Sequence, residues 1–429
     1  MMRNTNSNTN TNENSNDSPI PWRLFISIYT TQYIGVAFIF ASAVAILRQQ
    51  GMALDKLAWI NIIALPLACK IFYAPFIDRY RLAIIQGQYR SWLLVAQAVM
   101  TGLLVIIGKL DMVGQFHLAL GLLLLYAFAT SVQDVAIDGL ACKLVSPKKR
   151  QFANSIQYAS NLLGNVIGGG VILMLYHWLQ WQGSFTLLAI ATSISWIQLY
   201  FFKEPTLTPT AKLIQPIKSA SKSSNFSTLF SQIRLFIRQW RGWFGLLLVY
   251  PIGFSTAFAL LNPLLVDAGW ALADIGFVTK VVGSLVGIIS AISASMIISR
   301  YGRQTALIAL TGAQAVALIM LLPLALGDTR MVFVYGAVIA YFAINPALLA
   351  TLSTLMMDKA SQTDAKATFF TLQISCISVM GFIYAGLGLV LAKNIGYLGV
   401  LMMSIVLTLA LAVSLKFYCK TMVKTKHYS

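Results

Sequence analysis

The sequence predicts an all-α membrane protein whose twelve transmembrane helices form two bundles of six. Three observations predict it. Of the 429 residues, 58% are hydrophobic and 10% charged, with a mean hydropathy of +0.74, a balance that points to lipid rather than water as the solvent. The apolar residues gather into twelve runs, each long enough to cross a hydrocarbon layer. Finally, the 31 Lys and Arg, set against 13 Asp and Glu, crowd into alternate connecting segments, as cytoplasmic loops do.

The chain opens on an Asn, Thr and Ser tract, Met1 to Ser18, too poor in apolar residues to fold and read as part of a disordered tail over 1–21. No signal peptide is expected, because the first apolar run is a full span, Trp22 to Leu47, with no short core and cleavage site before it. Five further runs complete the first bundle, 22–202: Leu57 to Ile77, Trp92 to Gly108, Phe116 to Leu140, Phe152 to Leu175 and Ser184 to Phe202. The second bundle, 242–418, holds Trp243 to Val266, Ile275 to Ile298, Thr305 to Leu326, Met331 to Met357, Thr368 to Leu391 and Tyr397 to Phe417, and 419–429 form a tail. Gly and Pro inside these runs are tolerated where neighbouring helices satisfy the backbone.

An even number of spans puts both termini on one side. Twenty-four of the cations lie in the segments on that side, among them Arg79, Arg81, Lys143, Lys148 to Arg150, Arg300 and Arg303, and five on the other, Arg48, Lys56, Lys109, Arg330 and Lys393. The asymmetry predicts cytoplasmic termini. It also explains the formal charge of +18 without a nucleic acid, which would require a basic face interleaved with aromatic residues outside the membrane. The longest connection, 203–241, reads as a basic cytoplasmic linker with one acid, Glu204. Within it Phe226, Leu229, Phe230, Ile233, Ile237 and Trp240 recur at helical spacing beside Arg234, Arg238 and Arg241, an amphipathic pattern suited to a membrane surface rich in anionic lipid.

The halves echo each other. Ile77, Asp78, Arg79, Tyr80, Arg81 closes the second span and Ile298, Ser299, Arg300, Tyr301, Gly302, Arg303 the eighth, with Arg79 and Arg300 separated by 221 residues. Two parallel sets of six spans with a basic loop after the second of each is the arrangement of major facilitator transporters, which rock two halves about a central site.

Ionisable groups within spans are rare, and each costs several kcal/mol unless paired or wetted (~2.5–3.5 kcal/mol at a helix centre). Lys70 lies on the second span, Asp134 and Asp138 share one face of the fourth, and Lys280 sits in the outer third of the eighth. Asp134 is a candidate proton carrier with Lys70 as its charge partner or a substrate anchor; a static ion pair fixing two helices is the plainer reading. Asp138, beside Lys143, fits an interfacial ion pair. Lys280 either reaches an anionic substrate or snorkels to the outer surface. Gly164 and Gly168, and Gly283 and Gly287, have the spacing of close helix contacts. Cys69, Cys142, Cys376 and Cys419 are dispersed, with no CxxC pair. No metal or cofactor is expected, and HExxH, GxSxG and a phosphate loop are absent, so an enzyme is not expected.

Lys70 to Tyr80, reading Lys, Ile, Phe, Tyr, Ala, Pro, Phe, Ile, Asp, Arg, Tyr, and Gln133, Asp134, Val135, Ala136, Ile137, Asp138 resemble the signatures of the AmpG-like branch of the major facilitator superfamily, the peptide and acetyl-coenzyme-A transporters. Trp181 to Gly183 and Gly276 to Lys280 are similar as well. The resemblance implies proton-driven uptake of a bulky polar solute across a bacterial inner membrane. The family offers two substrate classes, muropeptides and, in a shorter twelve-span branch of the RhtX and FptX type, siderophores; the chain length favours the siderophore. Carried over residue by residue, it assigns Asp78 with Arg79 and Arg300 to a cytoplasmic gate, Asp134 with Lys70, and Asp138 beside them, to coupling, and Lys280 or Lys70 to the substrate. Two positions depart from the family: Gly139 stands where it has Trp, and the basic cluster before the third span thins to Arg90. Gly164 to Gly169 also resembles the antiporter motif of drug exporters, but Asn165 replaces its proline, which weakens an export reading. A non-transporting sensor or scaffold on the same fold is the remaining alternative.

Overall fold

A computed structural model describes residues 20–43, 46, 47, 50, 60, 63–82, 86–112, 114–205 and 226–426. The tail expected over 1–18, the start of the second span with Arg48 and Lys56, and most of the linker lie outside the described residues. Among the described residues every regular element is helical.

The first half holds α1 (Trp22–Ala37), α2 (Ala64–Ala68), α3 (Ala74–Arg79), α4 (Gln88–Gly108), α5 (Phe116–Leu144), α6 (Arg150–Val166) and α7 (Tyr176–Phe201). The linker contributes α8 (Phe226–Gln239), and the second half α9 (Arg241–Val249), α10 (Ile252–Asp267), α11 (Gly283–Tyr301), α12 (Arg303–Ile319), α13 (Met331–Ala360) and α14 (Lys366–Lys426). The helices before and after α8 form two halves, as the 221-residue echo predicts. α14 holds the last two spans, folded back at Gly396, whose φ of 72° no side-chain-bearing residue adopts without strain.

Among the described residues ten helices are long and apolar enough to cross a membrane by length and composition. Of the expected twelve, the second lies partly outside the described residues and the fifth is interrupted by polar side chains. The second span is broken: α2 carries Pro66, a 3₁₀ turn covers Cys69–Phe72, and Pro75 opens α3, each proline removing a backbone donor. The fifth, α6, carries Asn154, Gln157, Asn161 and Asn165 among its apolar residues and passes into a π-turn, Ile167–Val171. Sequence boundaries also slip at the seventh span, where Pro251 separates α9 from α10, and at the sixth, where α7 starts at Tyr176 and bends at Gln180.

The glycine pairs serve close packing. A Cβ at Gly164 would meet the Tyr33 and Ile34 backbone, and one at Gly168 the Ile34 carbonyl oxygen, so α6 lies directly on α1. Gly283 faces Phe342 on α13, whereas a Cβ at Gly287 would come within 2.7 Å of Leu162 across the boundary between halves.

One end of the bundle bears Arg79, Lys143, Lys148 to Arg150, Arg303 and Lys359, and is called the basic end below. There the halves are sealed together. On α5 every residue from Ala129 to Cys142 is buried, and on α13 Asn345 to Leu348, Ala350 to Thr354, Met356 and Met357 are too. A helix covered on all sides is walled in by neighbours. Towards the other end α5 exposes Leu118 and Leu125.

Candidate functional site

The site starts from a broken helix. Because Pro66 and Pro75 interrupt the second span, its backbone oxygens need outside donors. The Pro66 carbonyl accepts from Tyr73 Oη at 2.8 Å and from Ser131 Oγ of α5 at 3.1 Å, and Tyr73 also hydrogen-bonds Ser131. These bonds pin the 3₁₀ turn to α5 and aim Lys70 at it.

Lys70 Nζ lies 2.7 Å from Asp134 Oδ2, with both side chains at least 87% buried, the exposures being 13% and 10%. Gln32 of α1 donates to Asp134 Oδ1 at 2.8 Å, and Gln133 donates to Gln32 and to the Ile28 carbonyl, each at 3.3 Å. The carboxylate is therefore held on one side by a cation and on the other by an amide that is itself oriented. A buried pair of this kind contributes little net stability, but removal of one partner strands the other charge at a cost of ~3–5 kcal/mol.

One turn along α5, Asp138 Oδ1 accepts Tyr29 Oη at 2.9 Å and Gln157 Nε2 at 3.0 Å. The expected pairing of Asp138 with Lys143 is not what forms. Lys143 Nζ binds Glu204 Oε1 at 2.5 Å, while Glu204 Oε2 accepts the Arg90 backbone N–H at 2.9 Å. Asp138 instead points inward, buried to 2% exposure, because α1 and α6 wall off its face. Tyr33 bonds Asn161 beside the two carboxylates, and Asn165 bonds Asn161 at 3.2 Å. Asn165, the residue that departs from the exporter motif, thus joins this polar cluster.

Lys280 stands apart. It sits in a π-turn, Phe277–Val282, just before α11 and is exposed. The short Leu272–Gly276 helix precedes it, so the resembling segment Gly276 to Lys280 is a helix-to-π transition, a geometry frequent at functional sites.

The gate expectation divides. Asp78 does bridge the halves: its carboxylate accepts the backbone N–H groups of Ala367 at 3.1 Å and Thr368 at 2.6 Å and the Thr368 hydroxyl at 2.6 Å. An anion thereby caps the N-terminus of α14, where the helix dipole and unpaired N–H groups favour it. Tyr89 Oη holds the same carboxylate at 2.6 Å. Arg79 and Arg300 are exposed, each guanidinium lying over the ring of the next residue, Tyr80 at 5.4 Å and Tyr301 at 5.5 Å. Residues outside the expected gate also join the halves. Asp358 of α13 receives Arg150 at 2.8 Å and is also bonded by Arg303, which reaches on to the Pro147 carbonyl. Tyr158 meets Ser353 at 3.0 Å nearby. Asp358 could have been found: it is an acid closing a span among cations, next to Lys359.

The second half offers uncharged partners. Gln314 donates to Asn345 at 3.1 Å, Tyr250 pairs with Thr311 at 2.9 Å, and Phe258 stacks on Tyr341 with centroids 5.3 Å apart.

Comparisons with known proteins agree with this arrangement. Among curated relatives, an uncharacterized protein of Haemophilus influenzae is 27% identical over 263 residues, covering 61% of this chain and 60% of its own. The anhydromuropeptide permease of Escherichia coli K12 is 24% identical over 347 residues, covering 79% and 67%. A putative AmpG transporter of Rickettsia typhi is 22% identical, covering 80% and 82%. The matched stretch thus spans about three fifths to two thirds of the first two relatives. Two solved structures share the fold: the Escherichia coli fucose:proton symporter (TM-score 0.67, 13% identity, covering 92% and 98%) and a bacterial homologue of the iron transporter ferroportin (0.65, 17%, 94% and 100%). The family model described as Major Facilitator Superfamily matches residues 25–385, most of the chain, and the chain belongs to that superfamily.

Proposed function

We propose that the protein is a secondary active transporter that imports a bulky cell-wall fragment, of the anhydromuropeptide class, across a bacterial cytoplasmic membrane by alternating access driven by protons. The observation that carries this reading is the buried Lys70–Asp134 pair, built on a helix broken beside it. An ion pair with small net stability and a large cost on disruption is suited to a carboxylate that exchanges a proton for a cation during a transport cycle. The AmpG-type relatives support the substrate class, and a glycan-linked peptide offers both hydroxyls and carboxylates. Asn161, Asn165 and Gln314 would meet the hydroxyls, and Lys280 on its exposed π-turn would meet a carboxylate. The siderophore class that chain length favours draws no support from the relatives named above. The sealed basic end is the cytoplasmic end in this reading, with Asp78 and Asp358 as its gate and the substrate admitted from the other side.

The test is uptake of radiolabelled anhydromuropeptide into proteoliposomes with an imposed pH gradient, run beside a labelled ferric siderophore. Accumulation of the muropeptide that collapses with a protonophore is expected. Accumulation of the siderophore alone overturns the substrate class, gradient-independent accumulation overturns the coupling, and binding without accumulation turns the protein into a sensor.

A further inference from the structure

The linker helix α8 carries features that neither gate nor coupling pair uses. Arg234 and Arg238 lie one turn apart on α8, and Arg241 opens α9 just beyond the turn at Trp240; all three are exposed and face one groove. With Ile233 and Ile237 they line a groove of about 590 Å³. The chain contains no Asp or Glu between Glu204 and Asp267, and among the described residues no ion pair involves these three arginines. Leu235 and Ile237 are exposed at 51% and 38% on a helix that runs directly into the span starting at Arg241. A cationic stripe edged by apolar side chains at membrane level is complementary to a phosphate bearing acyl chains.

The opposite face of α8 is anchored. Phe236, 3% exposed, packs on Phe369 with centroids 4.4 Å apart. Lys359 Nζ lies 3.4 Å from the Trp240 ring centroid and 4.9 Å from that of Trp243, a cation held between aromatic faces. Lys359 immediately follows Asp358, the residue that ties Arg150 and Arg303 across the halves. The helix that carries the arginine stripe is therefore clasped to the residue next to the gate.

We infer that Ile233, Arg234, Ile237, Arg238 and Arg241 form a headgroup site for an anionic phospholipid, and that its occupation holds α8 on the Lys359 clasp and favours the state closed at the basic end. Lipid charge would then bias the conformational equilibrium by binding one state better than the other.

The test uses the full chain, delipidated in detergent and titrated with phosphatidylglycerol or phosphatidylcholine, with retained lipid counted by native mass spectrometry. Spin labels at Lys148→Cys and Gln362→Cys report the distance between halves at the basic end. Phosphatidylglycerol is expected to be retained preferentially and to raise the short-distance population. The Arg234→Gln/Arg238→Gln/Arg241→Gln variant should lose ~10-fold or more of that retention, as three surface cations imply, and all of the distance shift. Lys359→Gln should keep the lipid and lose the shift. Equal retention of both lipids, or unchanged retention in the triple variant, overturns the site. Displacement of the lipid by millimolar inorganic phosphate makes it an ion site and overturns the lipid assignment. No transported solute enters the experiment, so its failure leaves the transport reading untouched, and failed transport leaves the lipid site standing.

Discussion

Two stretches that the sequence makes nearly alike do opposite work. Ile77 to Arg81 ends α3 and Ile298 to Arg303 ends α11 at the same place in each half. In the first, Asp78 reaches across to cap α14. In the second the equivalent position is Ser299, whose hydroxyl donates to its own helix at Met296, and Arg303 reaches the Pro147 carbonyl of the first half while also bonding Asp358 of its own half. The first half thus offers an acid to a helix end, and the second a base to a backbone carbonyl. The same inequality holds deeper in. At the 221-residue offset the counterpart of Asp134 is Leu355, so the buried ion pair has no twin, and the second half holds Gln314 with Asn345 instead. Duplicated topology supplies two related walls, and few substitutions give one a buried ion pair and the other a pair of uncharged amides at depth.

The sharpest way to break that contrast is to remove the charge. Lys70→Ala leaves Asp134 buried beside Gln32 alone and should cost ~3–5 kcal/mol, read as a large loss of thermal stability and of uptake. Asp134→Asn/Lys70→Gln, which removes both charges, should recover most of the stability and none of the gradient-driven accumulation. If the double variant still accumulates solute, the pair is structural and the halves differ in packing only.

The gate comes next. Asp358→Asn frees Arg150 and Arg303 together, charged hydrogen bonds worth ~1.5–3 kcal/mol each, and should shift the halves toward opening at the basic end, detected as faster labelling of a cysteine introduced at Ser353. Asp78→Asn keeps the shape but weakens a helix cap, at about 1 kcal/mol, so its shift should be smaller. The reverse order would mean that α14, not α13, carries the gate.

How much of this was legible in the sequence follows from what each feature depends on. The fold class, the halves, the amphipathic α8 and the Lys70–Asp134 pairing rest on hydropathy, charge and rarity of buried ions, all local properties of the chain. The repeated motif points to Arg79 and Arg300, whereas the contacts of Arg150 and Arg303 with Asp358 depend on where α13 ends. Likewise, Asp138 lies five residues before Lys143 on α5, and the packing of α1 and α6 decides that Tyr29 and Gln157 take it while Glu204 takes the lysine. Contacts between distant elements are set by tertiary geometry, which periodicity does not encode.

The smallest effects should separate the walls most finely. Gln314→Leu removes the donor to Asn345 in the neutral half and should cost ~1 kcal/mol of stability, with a several-fold rise in KM for the solute and no change in dependence on the proton gradient. Gln32→Leu removes the matching amide in the charged half, where it holds Asp134 at 2.8 Å. A comparable loss of stability is expected there, with KM little changed and the pH profile of uptake displaced, because that amide tunes a carboxylate and not a solute contact. The two variants are close in chemistry and burial, so identical kinetic signatures from both would remove the division of labour between the halves.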